Sequence, residues 1–366
     1  MSRFGFWLGG VLVLAGFRLV AHAGPPAVFW VGAAAPCNFN SLQTAIGAVP
    51  DGSIVRIASN QDYGNVNVSI ANKSITLEGG WADCEETPGD AYVTLTGSPV
   101  MAAPVIFVNS PAVAREVTLR RLRIQGGQQS GIQLSGHVSM ALERSIVDAN
   151  VATIGAGIDV VGVSTGDTQL DITESIVGNL DAPLHTGNQA EDNGGGIFCQ
   201  NASIHLNGAV IRNNHATASG GGAYLLGCAV DTGSNFFHVP ELGDVTALIG
   251  ANLAGELGGG VYAAGGSVLD LGPGSARLEI SDNDAQRGGG IYMAHAGTTV
   301  AGEGLAIDGN RGVTHGGAAY LDDAAQLTMK RNTNLVAEAG RSGGVDGVGV
   351  IATTCDTAVE CSSVSF

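Results

Sequence analysis

Four segments share one pattern: Asn-His-Ala-Thr-Ala-Ser-Gly-Gly-Gly-Ala-Tyr from Asn214, Asn-Leu-Ala-Gly-Glu-Leu-Gly-Gly-Gly-Val-Tyr from Asn252, Asn-Asp-Ala-Gln-Arg-Gly-Gly-Gly-Ile-Tyr from Asn283, and Asn-Arg-Gly-Val-Thr-His-Gly-Gly-Ala-Ala-Tyr from Asn310. A repeat of this kind describes an architecture before it describes an active site, because stacked layers need the same corner and core residues every time. A second mark sets the register. An apolar residue stands three before an asparagine at Val147 and Asn150, Ile176 and Asn179, Ile211 and Asn214, Ile249 and Asn252, Ile280 and Asn283, Ile307 and Asn310, and Met329 and Asn332.

The asparagines recur every 22 to 38 residues, and three short strands with three turns occupy about 20–30 residues. One repeat therefore predicts one rung of an all-β, single-stranded parallel β-helix, with rungs about 4.8 Å apart. Its hand is expected to be right, as for parallel crossovers generally. Gly131-Ile132-Gln133-Leu134 and Gly155-Ala156-Gly157-Ile158-Asp159-Val160 fall into the same register, followed by strands over Val138–Val147 and Leu170–Val177. The longer intervals hold inserts near 183–193 and 231–243, expected as loops on one side of the coil.

Before the repeats, Asn40 reads as the cap of a short helix, with Gln43 in capping-box spacing and Leu42, Ala45, Ile46 and Val49 as its apolar stripe. Such a helix would cover the open end of the coil. Short strands follow around Ile54–Ile57, Val66–Ile70, Lys73–Leu77, Tyr92–Leu95, Val105–Val108 and Val117–Ile124.

Residues 1–23 have the plan of a cleavable secretory leader: Arg3, an apolar run from Phe4 to Val20, and Ala21-His22-Ala23 before Gly24. Arg18, late in that run, leaves a retained anchor as the alternative. The rest, 24–366, reads as one β-helix domain, clearest over about 130–347. Six cysteines without metal spacing fit an exported chain with disulfides. Of fifteen pairings, proximity favours Cys37 with Cys84, Cys199 with Cys228, and Cys355 with Cys361. Lys plus Arg number 16 against 33 Asp plus Glu; without Arg3 and Arg18 the balance is 14 against 33, or −19. This acidity argues against nucleic acid, and no segment of the mature chain is apolar enough to span a bilayer. Acidic exported chains often hold calcium, but no calcium-loop motif occurs, so no cofactor is expected. Fifty-seven glycines without a period of three exclude collagen.

The paired Gly-Gly-x-apolar and apolar-x-x-Asn boxes resemble the repeats of polymorphic outer membrane proteins, and Phe39–Trp81 resembles the first rungs of pectate-lyase-like proteins. The former resemblance covers about 130–347 and implies the fold rather than an activity. That family carries a membrane barrel after its passenger; none is read before Phe366, so its route to the surface is not carried over.

The candidate binding residues are an aromatic row, Phe198, Tyr224, Tyr262, Tyr292 and Tyr320, after the glycine box on five rungs. Strand alternation turns them outward if their apolar neighbours face the core, where they could stack on sugar rings or a partner protein. Asp159 holds the same place on an earlier rung and reads as a solvated strand residue. The alternative reading is a polysaccharide lyase or glycoside hydrolase using Asp282, Asp284, Asp308 and Arg311, at the asparagine corner of adjacent rungs with Arg287, Lys330 and Arg331 nearby. Against it, the polygalacturonase signatures Asn-Thr-Asp, Asp-Asp and Gly-His-Gly do not occur together. The histidines at 185, 205, 215, 238, 295 and 315 show no ligand spacing, His215 and His315 reading as turn residues. The asparagines read as a structural ladder. The expectation is a secreted, periplasmic or cell-surface protein that binds a polysaccharide or surface protein without catalysis.

Overall fold

The structure is a computed structural model that describes residues 25–353, apart from 34, 88, 90–91, 165, 181–184, 235–236, 240–242, 272–277, 303–304, 323, 330–333, 336–344 and 348–349. The leader, the Cys355 and Cys361 pair, Lys330, Arg331 and Asn332 therefore lie outside the described residues.

Each rung follows one path. On one rung the glycine box leads into Ile197–Gln200 on a first face, Ser203–Asn207 on a second and Ala209–Arg212 on a third; the chain then turns at Asn214 into the two-residue strand His215–Ala216. The next rung pairs in parallel above it, Ile197 with Ala223, Ser203 with Ala229 and Ala209 with Ala247. Among the described residues the first two faces belong to one 20-stranded sheet because Ile106–Arg120 and Ile132–Glu143 run unbroken around the bend between them. Among the described residues, nine strands form the third face and six short strands the corner. This is the parallel β-helix that the repeats predict.

Alternation fills its interior. Ile204 and Leu206 point inward while Ser203, His205 and Asn207 point outward, and the same division holds for Leu170 and Ile172 against Gln169, Asp171 and Thr173. The inward residues stack into one apolar column from Val31 to Leu327, each fully buried Leu or Ile contributing about 1.5–3 kcal/mol.

The glycine and asparagine boxes explain each other. Gly258 and Gly288 turn the chain at φ +63° and +61°, a conformation costly for other residues. The third glycine is needed for a different reason: a Cβ on Gly260 would lie 2.6 Å from the Gly290 carbonyl oxygen and 2.9 Å from the Asn283 amide nitrogen. That amide belongs to the ladder. Asn283 Nδ2 donates to the Ile249 carbonyl at 2.9 Å and to Asn310 Oδ1 at 2.9 Å, while its Oδ1 accepts from Asn252 N and Nδ2, both at 3.0 Å.

The ladder comprises Asn150, Asn188, Asn214, Asn252, Asn283 and Asn310. Asn179 is not in it. Val177 pairs with Ile211 and Val147 and so holds the place expected of Ile176. The chain then leaves the corner and returns only at Gly187, whose N–H bonds the Asn213 carbonyl at 2.9 Å, so Asn188 supplies the amide. Met329 is also displaced from its expected place: it pairs with Gly302 on the second face, and Leu335 takes the position above Ile307. The later insert is not all loop, since Phe237–Val239 and Gly243–Val245 pair as an antiparallel hairpin.

At the start, the helix spans Leu42–Ala48 and buries Leu42, Ala45 and Ile46 over the end of the core. Its cap is Ser41 rather than Asn40, the Ser41 side chain accepting from Thr44 N. Gln43 bonds not to the cap but to the Ser69 backbone, N–H and carbonyl both. Lys73 Nζ donates to the Ile46 and Val49 carbonyls, each at 2.6 Å, satisfying acceptors at the helix end. Cys37–Cys84 and Cys199–Cys228 form disulfides with Cα–Cα distances of 5.2 and 6.4 Å. No helix among the described residues is long and apolar enough to cross a membrane.

Candidate functional site

The five aromatic residues stand on the outer side of the first face, in register: Phe198 with Tyr224, Tyr224 with Tyr262, Tyr262 with Tyr292, Tyr292 with Tyr320. Centroids are 5.3, 4.6, 5.5 and 5.1 Å apart and the planes lie within 11° of parallel. Each inner ring is covered on both faces by its neighbours. Leu226, Leu257, Ala264 and Ala294 pack around the row, and Tyr292 is 4% and Phe198 8% exposed. Burial pushes the Tyr262 hydroxyl up to about 12, and burial, then its hydrogen bond to Asp322 Oδ2 at 3.0 Å, raises that of Tyr292. The row thus presents ring edges and hydroxyls outward rather than free ring faces. Arg287 sits over Tyr320 at 5.7 Å from the centroid, away from the acidic corner.

Asp159 continues the row but is not solvated, being 5% exposed. The corner at Gly155 closes against it so tightly that a Cβ there would lie 2.9 Å from the Asp159 Cα. Gln133 Nε2 donates to Oδ2 at 2.9 Å, and Oδ1 is buried without a hydrogen-bond partner. Burial raises its carboxyl to about 6, against the smaller lowering by Gln133.

At the asparagine corner, Asp282, Asp284 and Arg311 line one cavity of about 400 Å³ together with His185 and Arg212. Asp308 does not line it; its Oδ1 accepts from Gly309 N at 2.7 Å. Asp284 is paired with Arg311. His185 comes from the insert after Leu180, its Nδ1 buried without a partner and the pKa of its imidazole lowered chiefly by burial. Asp282 and the Arg311-paired Asp284 flank the buried Asn283 and make this a polar corner.

Two adjoining open cavities lie on the second face, where the sequence reading placed nothing. Along one outward row Arg56, Glu78, Arg120 and Glu143 are joined by ion pairs of 3.2, 3.4 and 2.7 Å, and Arg56 packs against both Trp30 and Trp81, at 5.2 and 4.4 Å from their centroids, the two rings meeting edge to face at 5.4 Å. Beside it runs Thr118, Ala141, Asp171, His205, Asp231 and Asp270. Cavities of about 540 and 570 Å³ occupy these rows and share Glu143 and Thr173. His205 Nδ1 meets Asp231 Oδ1, and Gln169 Nε2 donates to Asp171 Oδ1 at 2.9 Å. The signal was present in Leu-Asp-Ile at 170–172, Ile-His-Leu at 204–206 and Leu-Asp-Leu at 269–271, an ionisable group between two inward apolar residues. Among the described residues no group of His, Cys, Asp or Glu is arranged to hold a metal ion. No protein-family model matches the chain, and no solved structure matches it.

Proposed function

We propose that this chain is an exported protein that binds a linear glycan lengthwise along the second face of the β-helix. The observation that carries the reading is the pair of adjoining cavities between Trp81 and Asp231, open to solvent and sharing Glu143 and Thr173. Arg56 and Asp231 stand on the first and last of seven successive rungs, so the groove runs about 29 Å along the axis at the usual strand spacing, long enough for several sugar units. Its lining of carboxylates, arginines and hydroxyls supplies hydrogen-bond partners for sugar hydroxyls along its length, and a few such groups in a concave surface fix a ligand's orientation. The aromatic row is the weaker candidate because its stacked rings already cover one another's faces. The leader pattern and the two disulfides support export. Retention of the mature protein on neutral glycans, compared with a Thr173→Trp variant that fills the junction of the two cavities, tests the proposal. Wild type is retained and the variant is not; equal behaviour of the two would remove the groove from consideration.

A further inference from the structure

Resting on the groove reading, the geometry points to a hydrolytic centre made of Asp171, His205 and Asp231 that cleaves the bound glycan. The three occupy successive rungs of one outward row, Asp171 opposite His205 and His205 opposite Asp231. They line the same cavity, whose space is left by the small side chains of Ala141 and Ala229 on the same face. They also differ from their neighbours. Glu78, Glu143 and Glu174 are each tied to an arginine. Among the described residues, Asp171 is held by Gln169 and Asp231 by His205, with no lysine or arginine on either. Three partly exposed ionisable groups in an unbroken row add nothing to core packing, and a row of carboxylates costs repulsion on a sheet.

The contact of His205 Nδ1 with Asp231 Oδ1 fixes the ring as a carboxylate orients a catalytic imidazole, with Nε2 as its second proton-carrying position. In the step, water attacks the anomeric carbon and gives a proton to the Asp171 carboxylate. The bond from that carbon to the leaving oxygen breaks as the oxygen takes the proton from Nε2 of the His205 imidazolium. Two sugar hydroxyl-bearing products form from one linkage and one water, and the proton on Asp171 returns to His205 through solvent. Asp171 and His205 are the catalytic residues; Asp231 is a positioning residue.

The mature protein is incubated with soluble oligosaccharides of a β-1,4-glucan, a β-1,4-mannan, a β-1,4-xylan and a β-1,3-glucan, recording both binding and new reducing ends. Cleavage of at least one is expected, reduced about 100-fold or more by Asp171→Asn and by His205→Asn, with melting retained because both side chains point away from the core. Asp231→Asn lowers kcat by a larger factor than it changes KM. Binding without cleavage by wild type, or cleavage that persists in both catalytic variants, overturns the centre and leaves the binding reading standing. Neither binding nor cleavage removes the binding reading and this proposal together.

Discussion

Replacing Asp159 by asparagine should abolish one well-defined pH dependence of stability. The carboxyl is 5% exposed, receives one hydrogen bond and leaves Oδ1 without a partner, and burial raises it from 3.8 to about 6. A group raised in the folded state stabilises fully below its unfolded value and loses that contribution as pH rises through its folded value. At about 1.4 kcal/mol per unit the window from 3.8 to about 6 is worth about 3 kcal/mol. The asparagine side chain presents the same shape without a charge, accepts from Gln133 and puts an N–H where Oδ1 is now orphaned. The two proteins should therefore be nearly equally stable at pH 4, whereas at pH 7 the variant should be more stable by about 3 kcal/mol. Urea unfolding followed by circular dichroism across this range measures the difference, in which the other carboxylates cancel. A wild type and variant with parallel stability profiles would refute the burial argument.

The remaining predictions concern the ladder, the corner and the crosslink. Asn188→Ala removes two donated and two accepted hydrogen bonds from a fully buried side chain and should cost about 3–5 kcal/mol. Asn179→Ala, off the ladder, should cost less, and equal losses in urea titrations would contradict the assignment of the corner. Gly260→Ala drives a Cβ into the Gly290 carbonyl at 2.6 Å and should lower stability by more than about 2 kcal/mol. Gly47→Ala, where nothing lies within 4 Å in the exposed helix, should raise it by up to about 1 kcal/mol; calorimetric melting of the pair checks both signs. Loss of Cys199–Cys228, which closes a separation of 29 residues, should cost about 3–4 kcal/mol, measured as the shift in urea midpoint of a Cys199→Ala, Cys228→Ala double variant.

The fold was legible because its demands fall on residue types that little else can replace. A corner at positive φ and a backbone approach under 3 Å both ask for glycine, and a buried corner full of carbonyls asks for an amide. Where the chain departs between two fixed points in space, sequence offset fails: the ladder needs an asparagine at the corner, and after Val177 the chain reaches that corner only at Asn188, past an insert of several residues. The outward rows were harder. Alternation predicted correctly that Tyr224, Tyr262, Tyr292 and Tyr320 face away from the core, but not that in-register rungs would press their rings together. The groove was missed because its residues, Arg56, Glu78, Arg120, Asp171, His205 and Asp231, share no repeating type. They meet only through the register of the second face, and solvent-facing positions on a β-helix are free to differ from rung to rung.

The central claim, that the ligand lies along the second face, is tested most directly by carboxyl-group labelling with mass-spectrometric readout, with and without a glycan that retains the protein. Protection of Glu143, Asp171 and Asp231, with unchanged labelling of Asp282 and Asp322, is the predicted result. Protection confined to Asp322 beside the aromatic row, or to Asp282 at the asparagine corner, would place the ligand elsewhere and contradict it.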